Sequence, residues 1–439
     1  MKDYFSELSA KLQGLLQAGE EFSCTYQGEQ SDFCRFNKSK IRQAGQVSQH
    51  YLKLRLVKGQ RHAAAKITLQ QNLATDLEQI KGKLTKLREL IPRLPEDPYL
   101  LLKDQVESSD AVAANELPPK EQMIDCILGE AEGVDLVGIL ATGGIFRGFA
   151  NSAGQLNYYE TWSFNFDFCL YLHTDKAVKS GYAGFRFDPV EFKHKFLEAR
   201  QQLKVLENPQ KTLNPGQYDV FLTPAALGEI LDVVAWGGFG LKSIKTKNSP
   251  LNHLFEGKRS LSPKVTIREL GQGVPAQNFD ADGFLKPVEQ YLIKEGQAGD
   301  PLANPRSAKE YGVSPTGSAD ESPKASRMNG GSLAEGERLR TLGTGLWISN
   351  LWYLNFSDRG AGQITGMTRF ATFWVENGEI VAPASVMRFD DNLFDVLGNG
   401  LEDLTKDRQI LLSPGSYYER STDSQELPGA IVRGFHLTL

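Results

Sequence analysis

The chain has 439 residues, more than a single hydrophobic core usually organises, so two domains are expected. With 40% hydrophobic and 23% charged residues and a net charge of -5, it is neither fibrous nor disordered, and it carries no overall electrostatic footprint for nucleic acid or anionic membrane. Its first residues lack a basic start, an apolar stretch and a small-residue cleavage site, and no apolar run reaches roughly 18 residues, so a cytoplasmic location is expected.

In chain order, Phe5, Leu8, Leu12, Leu15 and Leu16 have helical spacing within residues 5 to 18. A β-rich stretch follows, in which Leu52, Leu54 and Leu56 alternate with Tyr51, Lys53 and Arg55. It turns at Lys58-Gly59-Gln60 and returns toward Ile67 and Leu69, a hairpin pattern. Asn72 to Leu90 reads as a second helix stopped before Pro92, and residues 119 to 132 as a third. "VDLVGILATGGIFRGFANSAG" then reads as a buried strand, a glycine turn and a second strand. In "TWSFNFDFCLYLH" the residues Trp162, Phe164, Phe166, Phe168, Leu170 and Leu172 all face one way, which predicts a strand with one apolar face.

Asp188, Pro189 and Glu191 cap a helix that carries Phe192, Phe196 and Leu197 inward and closes an N-terminal α+β domain near residue 210. "YDVFLTP" is a short strand that feeds a buried helix begun by Thr223 and Pro224. Ile230, Leu231, Val233, Val234 and Ala235 are too dense for a surface helix, and Gly237 and Gly238 end it beside Trp236. Residues 296 to 341 are rich in glycine, proline, serine and alanine and lack aliphatic periodicity, so they predict a disordered linker or a long ordered loop at a site. Asn377-Gly378 between alternating arms predicts a hairpin, and "NLFDVLGNG" a short helix with a glycine stop. The class is α+β: residues 1 to 210, then a domain over 211 to 439 dominated by antiparallel sheet and carrying the loop 296 to 341.

Self-contained catalytic motifs are missing. His50, His62, His173, His194, His253 and His436 are scattered, none with a second histidine three to five residues away, and Cys24, Cys34, Cys126 and Cys169 form no CxxC pair. There is no GxSxG elbow, no P-loop and no strand–GxGxxG–helix unit. "GIFRGFA" and "GTGLW" read as tight turns between strands. His194 reads as solvated beside lysines, His253 as part of a basic loop, and Trp162, Trp236, Trp347, Trp352 and Trp374 as packing residues.

Several stretches in order resemble the TldD/PmbA family, bacterial and archaeal proteins of proteolysis and peptide maturation once labelled modulators of DNA gyrase. They are "NSAGQLNYYETWSF" through "SGYAGFRFD", "VFLTPAALGEILDVV", "AKEYGVSPTGSA", and "GTGLWISNLWYLNF" with "TRFATFWVENGEIVAP". The resemblance runs from about Phe33 to the last residues and rests on order and spacing. In the protease-type members the buried helix carries a histidine-glutamate pair and a second histidine one turn later, which hold zinc and supply a base. Those positions fall on about Asp232 to Gly237, without histidine or glutamate, and no cysteine after Cys169 supplies the further ligand.

The resemblance therefore implies no metal or cofactor, a helix whose catalytic face is replaced by packing residues, and a place in the PmbA (TldE) branch. It implies a noncatalytic, dimer-forming subunit that binds unfolded peptide and partners a TldD-type metalloprotease. In the family the segment around "YGVSPTGSADESPKASRMNGG" lines the substrate cleft, which makes Thr316, Ser318, Arg327 and Asn329 candidate peptide contacts through strand addition. Two alternatives stay open: a stand-alone homodimeric peptide-binding protein, or a hydrolase whose site uses carboxylates such as Asp280, Asp282, Asp358, Asp390 and Asp391.

Overall fold

The computed structural model describes residues 1–173, 176–273 and 276–439. The fold is α+β, built on two sheets. The first holds β1 (Glu21–Asn37), β2 (Lys40–Lys58), β3 (Arg61–Thr68), β4 (Ser109–Val112), β5 (Asp135–Asn151), β6 (Leu156–His173) and β7 (Lys176–Gly184). Its order is β3-β2-β1-β5-β6-β4, with β7 also on β6; every pairing is antiparallel except β4 with β6.

The period-two pattern of β6 sets the sheet's two faces. Even-numbered Tyr158, Phe164, Phe166, Phe168 and Leu170 are buried under helices, while the odd-numbered face, from Thr161 through Asp167, is polar. Two helices, α1 (Lys2–Gln13) and α2 (Leu73–Leu90), cover one half of the apolar face. Phe5 of α1 stacks on Tyr26 at 5.4 Å and lies where a side chain on Gly148 would be. The other half is covered by α3 (Lys120–Glu130) and α4 (Pro189–Val205). On α4, Asp188 accepts the Val190 N–H as expected of a cap, and Phe192 and Phe196 pack on Phe166 and Phe168.

The second sheet holds β8 (Gly216–Leu222), β9 (Ile267–Leu270), β10 (Glu289–Lys294), β11 (Gln297–Ala298), β12 (Ala325–Met328) and β13 (Gly345–Asp358), followed by β14 (Gln363–Glu376), β15 (Glu379–Pro383), β16 (Arg388–Asn392), β17 (Leu401–Leu412) and β18 (Ser424–Leu437). Its order is β11-β10-β9-β12-β18-β16-β14-β13-β8, and β8 pairs again with β18, so the path closes on itself. Most pairings are antiparallel; β12 with β18 and β8 with β13 are parallel. A fifth helix, α5 (Pro224–Ala235), packs its apolar side on this sheet.

Two expectations are corrected. Gly143 and Gly144 do not turn the chain, because both lie inside the continuous strand β5, paired with Ser31 and Gln30 of β1. They are there for clearance: a Cβ on Gly143 would lie 2.1 Å from the Gln30 carbonyl oxygen. Residues 296 to 341 are neither linker nor one long loop. They hold β12, at the middle of the second sheet, and short helices at Pro305–Tyr311 and Arg338–Leu342, elements too short to leave a periodic signal.

The halves are joined in three ways. One core cluster contains both Phe164–Leu170 side chains from the first sheet and Phe221, Trp347, Phe373 and Ile431 from the second. Residues 277 to 286 reach across to the polar face of the first sheet: Phe279 packs on Phe149 and Tyr159, Gln155 Nε2 donates to the Gly283 carbonyl at 2.7 Å, and Arg55 pairs with Asp282. Residues 413 to 423 do the same through Arg420, 5% exposed. Its guanidinium donates to Ser31 Oγ, the Gly143 carbonyl, and the carbonyl and Oγ of Ser163.

Candidate functional site

Between the sheets lies a cleft of about 970 Å³, at the upper end of the range for ligand sites. The polar face of β6 gives it Asn165 and Asp167, and α4 gives it Glu191, Lys195 and Glu198. Residues 179–186 of β7 and 407–414 at the end of β17 line it without a gap, both parities included. A strand seen from one face shows every second residue; an unbroken run means that its edge faces the space. The pairings agree, since among the described residues β7 pairs only with β6, and β17 pairs with β18 and otherwise makes one bridge, from Thr405 to Leu333. Residues 331 to 333 cover the other side of β17 only as far as Lys406.

The cleft floor is α5. Thr223 Oγ1 accepts the Ala226 N–H and Pro224 opens the first turn, as expected. Ala226, Leu227, Ile230 and Val234 face the core, while Gly228, Glu229, Asp232 and Ala235 line the cleft. The expectation that packing residues replace the catalytic face is therefore corrected: that face also carries two carboxyls, Glu229 and Asp232. The available signal was Glu229 and Asp232 three residues apart on an otherwise apolar helix, which places them on one side.

Both carboxyls are unusual. Burial pushes Glu229 up to about 7, against the Leu351 N–H and Asn350 that hydrogen-bond to it and the more distant Lys179. Asp232 is pushed up to about 6 by the surrounding walls, although Gln425 Nε2 donates to its Oδ1 at 2.6 Å. Of the cations that line the cleft, Lys179 pairs with Asp167, Lys324 with Asp320 and Asp423, Arg338 with Glu335 and Arg408 with Glu426, while Arg186 and Lys195 make no ion pair among the described residues. Among the described residues neither Glu229 nor Asp232 has an ion-pair partner.

The donor set does not fit zinc. Asp232 is followed on α5 by Val233, Val234 and Ala235, and among the described residues no three histidine, cysteine, aspartate or glutamate side chains come together to hold a metal. His50 is buried against Tyr26, His62 pairs with Asp97, and His194 is exposed. The His173 side chain lies outside what is described.

The four candidate contacts on the 308–329 segment are not brought together, and none lines the cleft. Thr316 Oγ1 accepts the Ala303 N–H at 2.9 Å, and Ser318 Oγ donates to the Ser322 carbonyl. Arg327 pairs with Glu426, and Asn329 accepts from Arg268. For Arg327 the strand alternation of β12 explains this, since its neighbour Ser326 is the one that faces the cleft.

Of the aspartates considered as acids, Asp280 stands out, 3% exposed with Oδ2 unpartnered. Burial and then Asp282 push it up to about 7. A carboxyl whose folded-state pKa exceeds its unfolded value stabilises the fold when protonated, and that contribution is lost as pH rises from about 4 through about 7. Asp280→Asn is thus expected to reduce the loss of stability between pH 5 and pH 8 by roughly 2–4 kcal/mol. Parallel pH series of thermal melts for the two proteins measure it, and identical slopes would contradict it.

The profile of the PmbA/TldA metallopeptidase C-terminal domain matches residues 215–438, the whole of the second sheet. Metalloprotease PmbA of Escherichia coli O157:H7 is 33% identical over 148 residues, covering 33% of this chain and 31% of that protein. The metalloprotease PmbA homolog of Haemophilus influenzae is 31% identical over 203 residues, 44% of this chain and 42% of that one. The matched stretch is thus under half the length of either curated relative. Two solved structures share the fold end to end. TldE from Thermococcus kodakarensis has a TM-score of 0.77 at 13% identity, covering 99% of this chain and 100% of its own. A candidate modulator of DNA gyrase from Bacteroides thetaiotaomicron has a TM-score of 0.80 at 15% identity, covering 99% of each. With the profile spanning about half of the sequence and the fold shared throughout, the chain belongs to the PmbA/TldD family.

Proposed function

We propose that this chain is a noncatalytic, PmbA/TldE-like subunit that binds unfolded peptide and works with a TldD-type zinc metalloprotease. The observation that carries the peptide reading is the pair of free strand edges, β7 and β17, bordering the cleft. An extended peptide laid on either edge gains main-chain hydrogen bonds irrespective of its side chains, which suits a binder of unfolded chains. The donor set of α5 supports leaving the metal chemistry to another subunit. Exposed aromatic side chains at the end of α5 and on the outer half of β13, Trp236 at 62%, Trp352 at 48% and Tyr353 at 83%, support a surface that a TldD-type subunit covers.

The test is zinc content and peptide hydrolysis for the purified chain alone, for a TldD-type subunit, and for the two mixed. The expected result is no stoichiometric zinc and no cleavage by this chain alone, with an assembly of both chains active on peptide. Metal-dependent cleavage by this chain alone would sink the reading, and a homodimer that binds peptide but ignores the protease would favour a stand-alone binding protein.

A further inference from the structure

The cleft floor carries a charge imbalance that main-chain recognition of a peptide leaves unexplained. Glu229 and Asp232 sit one helical turn apart on the cleft side of α5, and among the described residues neither pairs with a cation, Lys179 being engaged by Asp167 and Lys324 by Asp320 and Asp423. Ser349 on β13, 7% exposed, lines the same cleft. Its Oγ has no hydrogen-bond partner. Ser349 is held in place through its carbonyl, which accepts from the Thr223 cap at 2.6 Å, and it lies two residues before the Leu351 N–H that Glu229 accepts. We propose that Glu229, Asp232 and Ser349 form a subsite for a primary ammonium group of the bound peptide, either its amino terminus or a lysine side chain. This rests on the peptide-binding reading of the cleft.

The donor geometry selects the ligand class. An ammonium group has three N–H donors and no acceptor, and three acceptors of mixed charge match it. A guanidinium is recognised best by both oxygens of one carboxylate. Here the Leu351 N–H and the Asn350 side chain already hydrogen-bond to Glu229 and Gln425 occupies one oxygen of Asp232, so neither presents a free two-oxygen fork. A divalent metal would need a further anionic or imidazole ligand, which the described residues do not bring to this place. Arrival of the cation would also favour ionisation of both carboxyls, which burial holds partly protonated near neutral pH.

The experiment measures binding of the full-length chain to a short peptide of alternating valine and serine, labelled at its carboxyl end, by fluorescence anisotropy. One form has a free amino terminus; one is acetylated and carries a single lysine; one is acetylated with that lysine replaced by norleucine; one has arginine there. Both amine-bearing forms, or one of them, should bind at least about tenfold tighter than the norleucine form, a difference of about 1.4 kcal/mol. Which of the two does so separates chain terminus from side chain. Arginine should bind like norleucine, and the preference should vanish in E229Q/D232N. Equal affinity for amine-bearing and fully blocked peptides overturns the subsite while leaving peptide binding intact, as does an arginine peptide that matches the lysine one, or an amine preference unchanged in E229Q/D232N. Failure of every form to bind removes the peptide-binding reading and the subsite together.

Discussion

Gly143→Ala is expected to destabilise the protein by more than about 4 kcal/mol, enough to leave little folded material. Gly143 has φ +141°, and its added Cβ would sit 2.1 Å from the Gln30 carbonyl oxygen and 2.9 Å from the Ser31 Cα. Both obstacles are backbone of the adjacent strand β1, which cannot swing aside as a long side chain can. Relief requires the β1–β5 ladder to separate at its middle, taking several hydrogen bonds with it. Gly45 on β2 is the control: its Cβ would meet nothing within 4 Å, so Gly45→Ala should stay within about 0.5 kcal/mol of the parent. Denaturant melts of the two variants check the contrast, and comparable stabilities would refute the clearance argument.

The second large effect is expected at Arg420. Arg420→Met should cost about 3 kcal/mol, because the guanidinium meets four acceptors in a place closed to water. Burial, partly offset by nearby Glu29, pushes its pKa down to about 10, so the side chain remains charged near neutral pH. The substitution leaves the carbonyls of Gly143 and Ser163 short of a donor and Glu29 short of a nearby positive charge. Thermal melting should show the loss, and hydrogen exchange should speed up across residues 413 to 423 before the rest of the second sheet. A melting temperature equal to the parent's would show that the loop is held by something else. Because Gly143 supplies one of the acceptors, the Gly143 and Arg420 substitutions should not be additive.

Much of this fold was legible where a residue type had one physical use. Asn377-Gly378 adopts φ +52° and +82° in the turn joining β14 to β15, the geometry that two-residue hairpins require. The leucine alternation of 52 to 56, the apolar face of β6 and the caps at Asp188 and Thr223 are all present. What escaped were choices that depend on a partner distant in sequence. A glycine pair reads as a turn unless it is known that β1 passes over it. Four-residue β12 has no pattern of its own and is a strand because β9 and β18 flank it. The candidate site was missed for the same reason. Glu229 and Asp232 on an apolar helix are ordinary until β7 and β17 wall off the space above them, whereas Thr316 holds the Ala303 N–H, Ser318 closes a turn to Ser322 and Arg327 pairs with Glu426.

The position of β18 has a consequence for how the protein is made. Its partners are β8, β12, β16 and β17, so the strand that closes the second sheet leaves the ribosome after every strand it pairs with. The first sheet draws all its strands from residues 21 to 184 and can assemble while translation continues. The second must wait, its long-range pairings unmade, with the edge of β8 and the apolar side of α5 uncovered until β18 has emerged.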